Sequence, residues 1–204
     1  MKIKICGITR LEDALLSSKL GAWAVGFIFY KASLRYIEPQ KAADIIKNIP
    51  AHVEKTGVFV NSSVEEITNV CVKTRITGIQ LHGNETAEFC SELLKLNIPL
   101  IKAIRVKNEE DLSIIPDYRG IVSAILLDTY SNKEYGGTGE RFNWDIALKA
   151  KDYGVPVILA GGLNISNIKD AAKLEVYALD VSSGVEISRG IKDSQKLTEL
   201  FLLV

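Results

Sequence analysis

The chain has no excess of either charge, few cysteines and no long apolar run. Its 204 residues carry 25 Lys and Arg side chains against 25 Asp and Glu, so the formal net charge is zero. Nucleic-acid and membrane surfaces need concentrated positive charge, and this balance argues against both kinds of partner. The three cysteines are an odd number without the spacing of metal ligands, which fits a reducing compartment better than a disulfide framework.

Apolar segments long enough to cross a membrane are also missing, and the first residues form a charged, alternating segment where a signal peptide would have an apolar core. We therefore expect a cytoplasmic location. There is no linker and no low-complexity stretch at which to divide the chain. Residues 1–204 are predicted to form one domain.

What the sequence does have is a repeated unit: roughly eight short apolar runs, each followed by a polar residue or glycine and then a helical pattern. Successive runs end about 20 to 35 residues apart, the room that a crossover helix needs to return the chain for a parallel neighbour. The runs are Lys2 to Cys6, Ala24 to Phe29, Thr56 to Asn61, Gly78 to His82, Leu100 to Arg105, Val122 to Asp128, Val155 to Ala160 and Tyr177 to Ser182. This pattern predicts a (β/α)8 TIM barrel of parallel strands.

Cys6 and Asp128 each stand where an apolar run stops. In a barrel of this kind the active site is built from the loops at the carboxyl-terminal face, directly after the strands. Both residues are therefore candidates for catalysis before any family is considered.

Strand one is unusual because charged residues alternate with apolar ones along it. If Ile3 and Ile5 pack beneath the helices, Lys4 and Cys6 point into the barrel. Strands one and eight are neighbours in a closed barrel, so we expect Lys4 to form an internal ion pair with Asp180 and to bias Cys6 towards the thiolate. The alternative is that Lys4 extends out of the strand end into solvent.

The same alternation places Gln80 and His82 together on the inner face of strand four. A histidine at a strand end can contact a substrate, but it can equally be a hydrogen-bonded residue of the wall. Gln80 and His82 are therefore further candidates for the pocket, and both interpretations of His82 stay open.

Two small-residue loops in the last quarter of the chain are typical of a phosphate site. Gly161 and Gly162 follow the seventh run, and Ser182 and Ser183 follow the eighth. Glycines let backbone amides approach an anion closely, and small hydroxyls add donors. In barrels that bind phosphorylated sugars, this pair of loops commonly holds the phosphate.

Taken in order, the motifs resemble those of the phosphoribosylanthranilate isomerase family of tryptophan biosynthesis, over essentially the whole chain. Leu34 departs from the family pattern, which often has proline there, but Arg35 is in place. The matching segments are Lys4-Ile5-Cys6-Gly7-Ile8-Thr9, Gly26-Phe27-Ile28-Phe29, Ser33-Leu34-Arg35, Gly57-Val58-Phe59-Val60-Asn61, Gln80-Leu81-His82-Gly83, Leu126-Leu127-Asp128-Thr129, Gly136-Gly137-Thr138-Gly139 with Phe142 and Trp144, Ala160-Gly161-Gly162-Leu163-Asn164, Asp180-Val181-Ser182-Ser183-Gly184-Val185-Glu186 and Gly190-Ile191-Lys192-Asp193.

The resemblance implies an Amadori rearrangement of N-(5-phosphoribosyl)anthranilate to 1-(2-carboxyphenylamino)-1-deoxyribulose 5-phosphate. By the resemblance, Asp128 is the general acid, Cys6 is the general base and Arg35 binds the anthranilate carboxylate. It implies no metal and no organic cofactor, because the nitrogen of the substrate serves as the electron sink. The glycine-rich segment from Tyr130 to Phe142 is expected to form a lid or wall beside Asp128.

Three other functions remain open. A histidine-pathway isomerase performs the same chemistry on a bis-phosphorylated substrate, but it would need a second phosphate site after strands three and four, where the sequence offers none that is convincing. An indole-forming lyase would need a lysine acid at a strand end, and Lys102 lies too deep in its run. The third is a barrel that binds sugar phosphates without converting them. The sequence leaves a monomer and a homodimer equally open.

Overall fold

Eight parallel strands close into a barrel in the computed structural model of the chain, which describes residues 1–129 and 144–204. The strands follow one another around the ring in chain order, and β1 completes the ring against β8. The predicted (β/α)8 TIM barrel is confirmed. The barrel strands are β1 (Ile3–Ile5), β2 (Ala24–Ile28), β3 (Glu54–Phe59), β4 (Gly78–Leu81), β5 (Leu100–Val106), β6 (Ala124–Thr129), β7 (Val157–Leu159) and β8 (Ala178–Val181).

Helices connect the strands. In the described residues the α-helices are α1 (Leu11–Lys19), α2 (Pro39–Ile46), α3 (Val64–Thr74), α4 (Ala87–Leu93), α5 (Asp145–Ala150), α6 (Ile168–Ala172) and α7 (Ser194–Leu202). Between β5 and β6 the chain forms a 3-10 helix, Glu109–Tyr118. Pro116 lies inside it and has no N–H to donate, which disfavours a regular α-helix there. None of the helices described is long and apolar enough to span a membrane.

Alternating side chains divide the strands into an outer and an inner face. Ile3 and Ile5 belong to the large core between the strands and the helices, as predicted. A second, smaller apolar cluster lies on β5 to β8 and consists of Ile101, Ala103, Ala124, Leu126, Ile158, Ala160 and Ala178. Polar side chains such as Gln80, Asp128 and Asp180 lie towards the carboxyl ends of the strands, beside the apolar Ile28 and Val58.

Lys4 and Asp180 form an ion pair inside the barrel. Their Cα atoms are register partners between β1 and β8, and Lys4 Nζ lies 2.9 Å from Asp180 Oδ1. Lys4 is completely buried, so the predicted internal pair is confirmed and the extension of Lys4 into solvent is wrong. Burial is the largest single effect and lowers the pKa of Lys4, but Asp180 and Cys6 together outweigh it and the pKa lies above its usual value.

A small antiparallel hairpin follows β8 outside the barrel, and the sequence did not predict it. It consists of β9 (Glu186–Ser188) and β10 (Ile191–Lys192). The hairpin places two charged side chains, Glu186 and Lys192, in the interior behind the loop that follows β8.

Replacement of Lys4 by methionine should destabilise the fold, because it leaves the Asp180 carboxylate buried without its partner. Removing one member of a buried ion pair costs about 3 to 5 kcal/mol. The measurement is the free energy of unfolding in urea. The matched control is Lys2→Met, since Lys2 is exposed and its ammonium lies over the ring of Tyr177, a contact worth roughly 1 kcal/mol or less. Equal losses in the two variants would contradict the account.

Candidate functional site

A cavity of about 260 Å³ opens at the carboxyl-terminal ends of the strands. The structure brings together ten of the eleven residues that the sequence singled out, and Lys4 alone among them is buried beneath the cavity. The predicted residues in the lining are Cys6, Arg35, Gln80, His82, Asp128, Gly161, Gly162, Asp180, Ser182 and Ser183.

Cys6 lies just after β1 and its thiol faces the cavity beside β2. A Cβ atom at Gly26 on β2 would lie only 2.8 Å from Cys6 Sγ. Glycine at this position therefore makes room for the thiol. Burial raises the pKa of Cys6 above its usual value, although the ammonium of Lys4 acts in the opposite direction. Lys4 thus biases Cys6 towards the thiolate, as expected, but burial has the larger effect and the net shift of the Cys6 pKa is upwards.

Asp128, near the end of β6, is held by a backbone donor and faces a histidine. Thr129 N donates to Asp128 Oδ1 at 2.8 Å, and His82 Nε2 lies 3.2 Å from Oδ2. That second contact is close but is not aligned as a hydrogen bond. On the other side of the ring, Gln80 Nε2 and His82 Nδ1 are 2.9 Å apart. Gln80, His82 and Asp128 thus form a continuous polar row across the barrel interior.

Glycine at position 161 lets the loop after β7 pass directly beside the Asp128 carboxylate. Gly161 has φ +83°, in the left-handed region that favours glycine. A Cβ atom there would come within 2.7 Å of Thr129 N and 3.0 Å of Asp128 Oδ1. Any side chain at this position would therefore displace the carboxylate or the loop.

The loops after β7 and β8 are joined to each other. Asn164 and Gly184 form an isolated β-bridge, and both Asn164 and Asn167 donate side-chain N–H groups to the carbonyl of Gly162. The Ser182 hydroxyl donates to the carbonyl of Cys6 at 3.2 Å, which connects these loops to the end of β1. The small residues predicted to hold phosphate therefore share one end of the cavity.

Arg35 lies in the cavity wall, but much of its guanidinium is already engaged. Its Nε and one terminal nitrogen donate to the Glu186 carboxylate at 2.9 and 2.8 Å. Burial raises the pKa of Glu186, yet Arg35 and the charge of Lys192 outweigh burial and hold the pKa below its usual value. The sequence predicted Arg35 as a residue for a substrate anion and did not foresee this protein carboxylate.

Lys192 is a completely buried cation between Glu186 and the end of β1. Its Nζ lies 3.0 Å from Glu186 Oε1, 2.6 Å from the Cys6 carbonyl and 3.1 Å from the Ser182 carbonyl. Burial lowers the pKa of Lys192 despite the opposing carboxylate of Glu186. Lys192 therefore joins the Arg35 and Glu186 pair to the backbone at Cys6 and at Ser182.

Sequence reasoning missed the charged side chains of the hairpin that lie around Arg35. Glu186 and Lys192 were matched only as parts of motifs, and Arg189, between them on the hairpin, also lines the cavity. Three charged residues within seven positions, directly after a glycine-containing loop, were an available signal. The pattern does not predict the hairpin, whose fold turns the side chains of Glu186 and Lys192 inwards.

A carboxylate of the protein occupies the backbone donors at the ends of β3 and β4. Glu85 accepts from Asn61 N at 2.8 Å and from Gly83 N at 2.9 Å, and it pairs with Lys102 Nζ at 2.9 Å. Lys102 is buried in this pair and is not part of the cavity lining. Asn61 and Gly83 are thus already bound to an anion that belongs to the chain.

The segment from Tyr130 to Phe142, expected to form a lid or wall, lies outside the described residues. The glycine motif from Gly136 to Gly139 falls within it.

Comparison with known proteins gives the family. A family model described as N-(5'phosphoribosyl)anthranilate (PRA) isomerase matches residues 3–202. The chain belongs to this family. The PRA isomerase of Geobacter metallireducens is 47% identical over 200 residues, 98% of this chain and 96% of the relative. The resemblance seen in the sequence is confirmed.

Solved structures of PRA isomerases agree in fold as well as in sequence. The enzyme of Thermotoga maritima superposes with a TM-score of 0.92 at 41% identity, covering 100% of this chain and 98% of that one. A second PRA isomerase structure, in complex with reduced 1-(o-carboxyphenylamino)-1-deoxyribulose 5-phosphate, gives a TM-score of 0.88 at 40% identity, with 98% and 96% covered.

Alkylation of Cys6 by iodoacetamide should keep accelerating as the pH rises past 9, because the pKa of the buried thiol lies above its usual value of 9.0 and only the thiolate reacts. The measurement is the rate of modification of Cys6, read by mass spectrometry between neutral and alkaline pH. The control variant is Cys6→Ala, which shows how far Cys71 and Cys90 are alkylated under the same conditions. Burial raises the pKa of each of these two thiols to about 11. A rate that is already constant at neutral pH would contradict the raised pKa.

Proposed function

We propose that this chain catalyses the Amadori rearrangement of N-(5'-phosphoribosyl)anthranilate in tryptophan biosynthesis, with Asp128 as general acid and Cys6 as general base. The observation that carries the proposal is that both side chains face one cavity from β6 and β1. Between those strands lie β7 and β8, whose loops provide the predicted phosphate site. A sugar phosphate anchored there has its ring between the acid and the base.

The reaction begins with proton transfer from Asp128 to the furanose ring oxygen. The bond between that oxygen and carbon 1 breaks as the anthranilate nitrogen forms a double bond to carbon 1, giving an iminium ion and the Asp128 carboxylate. Cys6 then takes the proton from carbon 2, and the electron pair of that C–H bond forms the enolamine and neutralises the nitrogen. Tautomerisation moves a proton from the hydroxyl on carbon 2 to carbon 1 and yields the ketone.

The two proton transfers therefore require a protonated carboxyl and a thiolate, the latter formed when the resting thiol loses its proton, and they leave a carboxylate and a thiol. Solvent resets the pair by returning a proton to Asp128 and removing one from Cys6. A thiolate that forms in a buried site is a stronger base than an exposed one, and so the raised pKa of Cys6 suits the removal of a carbon-bound proton. The nitrogen of the substrate accepts the electrons, and the scheme uses no metal and no organic cofactor.

The two anionic ends of the substrate would lie at different walls. Gly161, Gly162, Ser182 and Ser183 are proposed to hold the phosphate through backbone N–H groups and the Ser183 hydroxyl. Arg35 is proposed to hold the anthranilate carboxylate with the part of the guanidinium that faces the cavity, while Glu186 fixes the other edge. Asp180 also lines the cavity, and its carboxylate forms an ion pair with the ammonium of Lys4.

The arrangement favours this reaction over its rivals. A bis-phosphorylated substrate would need free donors after β3 and β4, and there Glu85 already accepts the N–H groups of Asn61 and Gly83. An indole-forming lyase would need a lysine in the site, and Lys102 is bound to Glu85 instead. A barrel that only binds sugar phosphates would have no use for an acid and a base in the same cavity.

We also propose that one catalytic domain spans residues 1–204 and that the protein is cytoplasmic, which fits the three free thiols of Cys6, Cys71 and Cys90.

Loss of either proton-transfer group should abolish most of the turnover without weakening binding. General acids and bases contribute about 10²- to 10⁴-fold, and Cys6→Ala and Asp128→Asn should each lower kcat by that order. Cys6→Ser should be nearly as slow as Cys6→Ala, because an alcohol is far less acidic than a thiol. The measurements are kcat and the dissociation constant of a reduced product analogue, which should stay within a few-fold. Turnover close to normal in Cys6→Ala would rule out this mechanism.

Replacement of Arg35 by alanine should chiefly weaken substrate binding. A hydrogen bond to a charged group contributes about 1.5 to 3 kcal/mol, equivalent to roughly a 10- to 150-fold rise in KM. Arg105→Ala is the matched control, since Arg105 is not part of the cavity lining. An unchanged KM in folded Arg35→Ala protein would remove Arg35 from the site.

A further inference from the structure

His82 and Gln80 have no step in the mechanism above, although both are buried in the cavity wall next to the proposed acid. We infer that His82 is a positioning residue that acts through Asp128, and that Gln80 fixes the tautomer that His82 needs for this. The inference rests on the proposed function, because it gives His82 its effect through Asp128 as the general acid.

The tautomer follows from the hydrogen-bond partners of the imidazole. Gln80 directs its amide nitrogen at His82 Nδ1 over 2.9 Å. An amide nitrogen can only donate, so Nδ1 accepts and carries no proton. In the neutral ring the proton is then on Nε2, the atom that lies 3.2 Å from Asp128 Oδ2. Gln80 therefore determines that His82 presents a donor, and not an acceptor, to the acid.

The oxygen of Asp128 that faces this donor is Oδ2. The other oxygen, Oδ1, accepts from Thr129 N at 2.8 Å. Within the described part of the chain, His82 Nε2 has no hydrogen-bond partner, although it is buried. A small rotation of either side chain would convert the existing contact into a hydrogen bond.

The consequence is catalytic, because the charge of Asp128 changes during the reaction. In the proposed mechanism Asp128 donates its proton as a neutral carboxyl and becomes a carboxylate as the proton reaches the ring oxygen. A donor that faces Oδ2 stabilises the developing negative charge more than it stabilises the neutral carboxyl. Loss of the donor should therefore lower kcat while KM stays the same.

Two variants of His82 separate this effect from a purely structural one. His82→Leu removes the donor and should lower kcat roughly 10- to 100-fold. His82→Gln places an amide N–H near the position of Nε2 and should recover much of the loss. KM should stay within a few-fold in both, and His52→Gln is the control, since His52 is exposed. Equal losses of kcat in the two His82 variants, or a loss expressed in KM alone, would overturn the inference.

The tautomer can be read directly, without substrate. The chain has only two histidines, so isotope-labelled histidine gives two rings in a nitrogen NMR spectrum, and His52→Gln assigns them. The expected result for His82 is one neutral form with its proton on Nε2, which Gln80→Leu should convert into a mixture. A proton on Nδ1 in the wild type would overturn the inference even in an active enzyme. Wild-type protein that converts no substrate would instead overturn the proposed function.

Discussion

The structure depends on one electrostatic constraint: every charge taken into the barrel needs a partner, because an isolated buried ion is very costly. Lys4 is paired with Asp180 where the ring closes. Arg35, Glu186 and Lys192 form a second group at the rim, and Glu85 with Lys102 a third. These groups tie the ends of neighbouring strands together, so the residues that hold the fold and those that shape the cavity are partly the same.

Cys6 lies between two of these groups. Lys4 is inside the barrel on the same face of β1, and Lys192 reaches the backbone carbonyl of Cys6 from the hairpin. Both cations lower the pKa of the thiol, and burial raises it by more. The cations are engaged by Asp180 and Glu186, which reduces what they can do for a thiolate. The site thus keeps a protonated thiol at rest and has positive charge nearby when the thiolate forms.

The sequence predicts the barrel and most of the cavity because both follow from strand periodicity. Alternation put Lys4 opposite Asp180 and Gln80 beside His82, and spacing put Asp128 and Gly161 at strand exits. The sequence could not predict whether the pKa of Cys6 is raised or lowered, because the direction depends on the balance between burial and the nearby charges. It also missed the contact of Arg35 with Glu186, since that contact depends on the fold of a short hairpin with no strong periodicity.

The measurement that tests the central claim most directly is the turnover of N-(5'-phosphoribosyl)anthranilate by the purified protein in a buffer that contains a metal chelator. The account predicts that the fluorescence of this compound falls at a rate proportional to protein concentration, and that inorganic phosphate slows the fall by competition for the loops after β7 and β8. A folded protein that leaves the fluorescence at its spontaneous rate of decay would contradict the account.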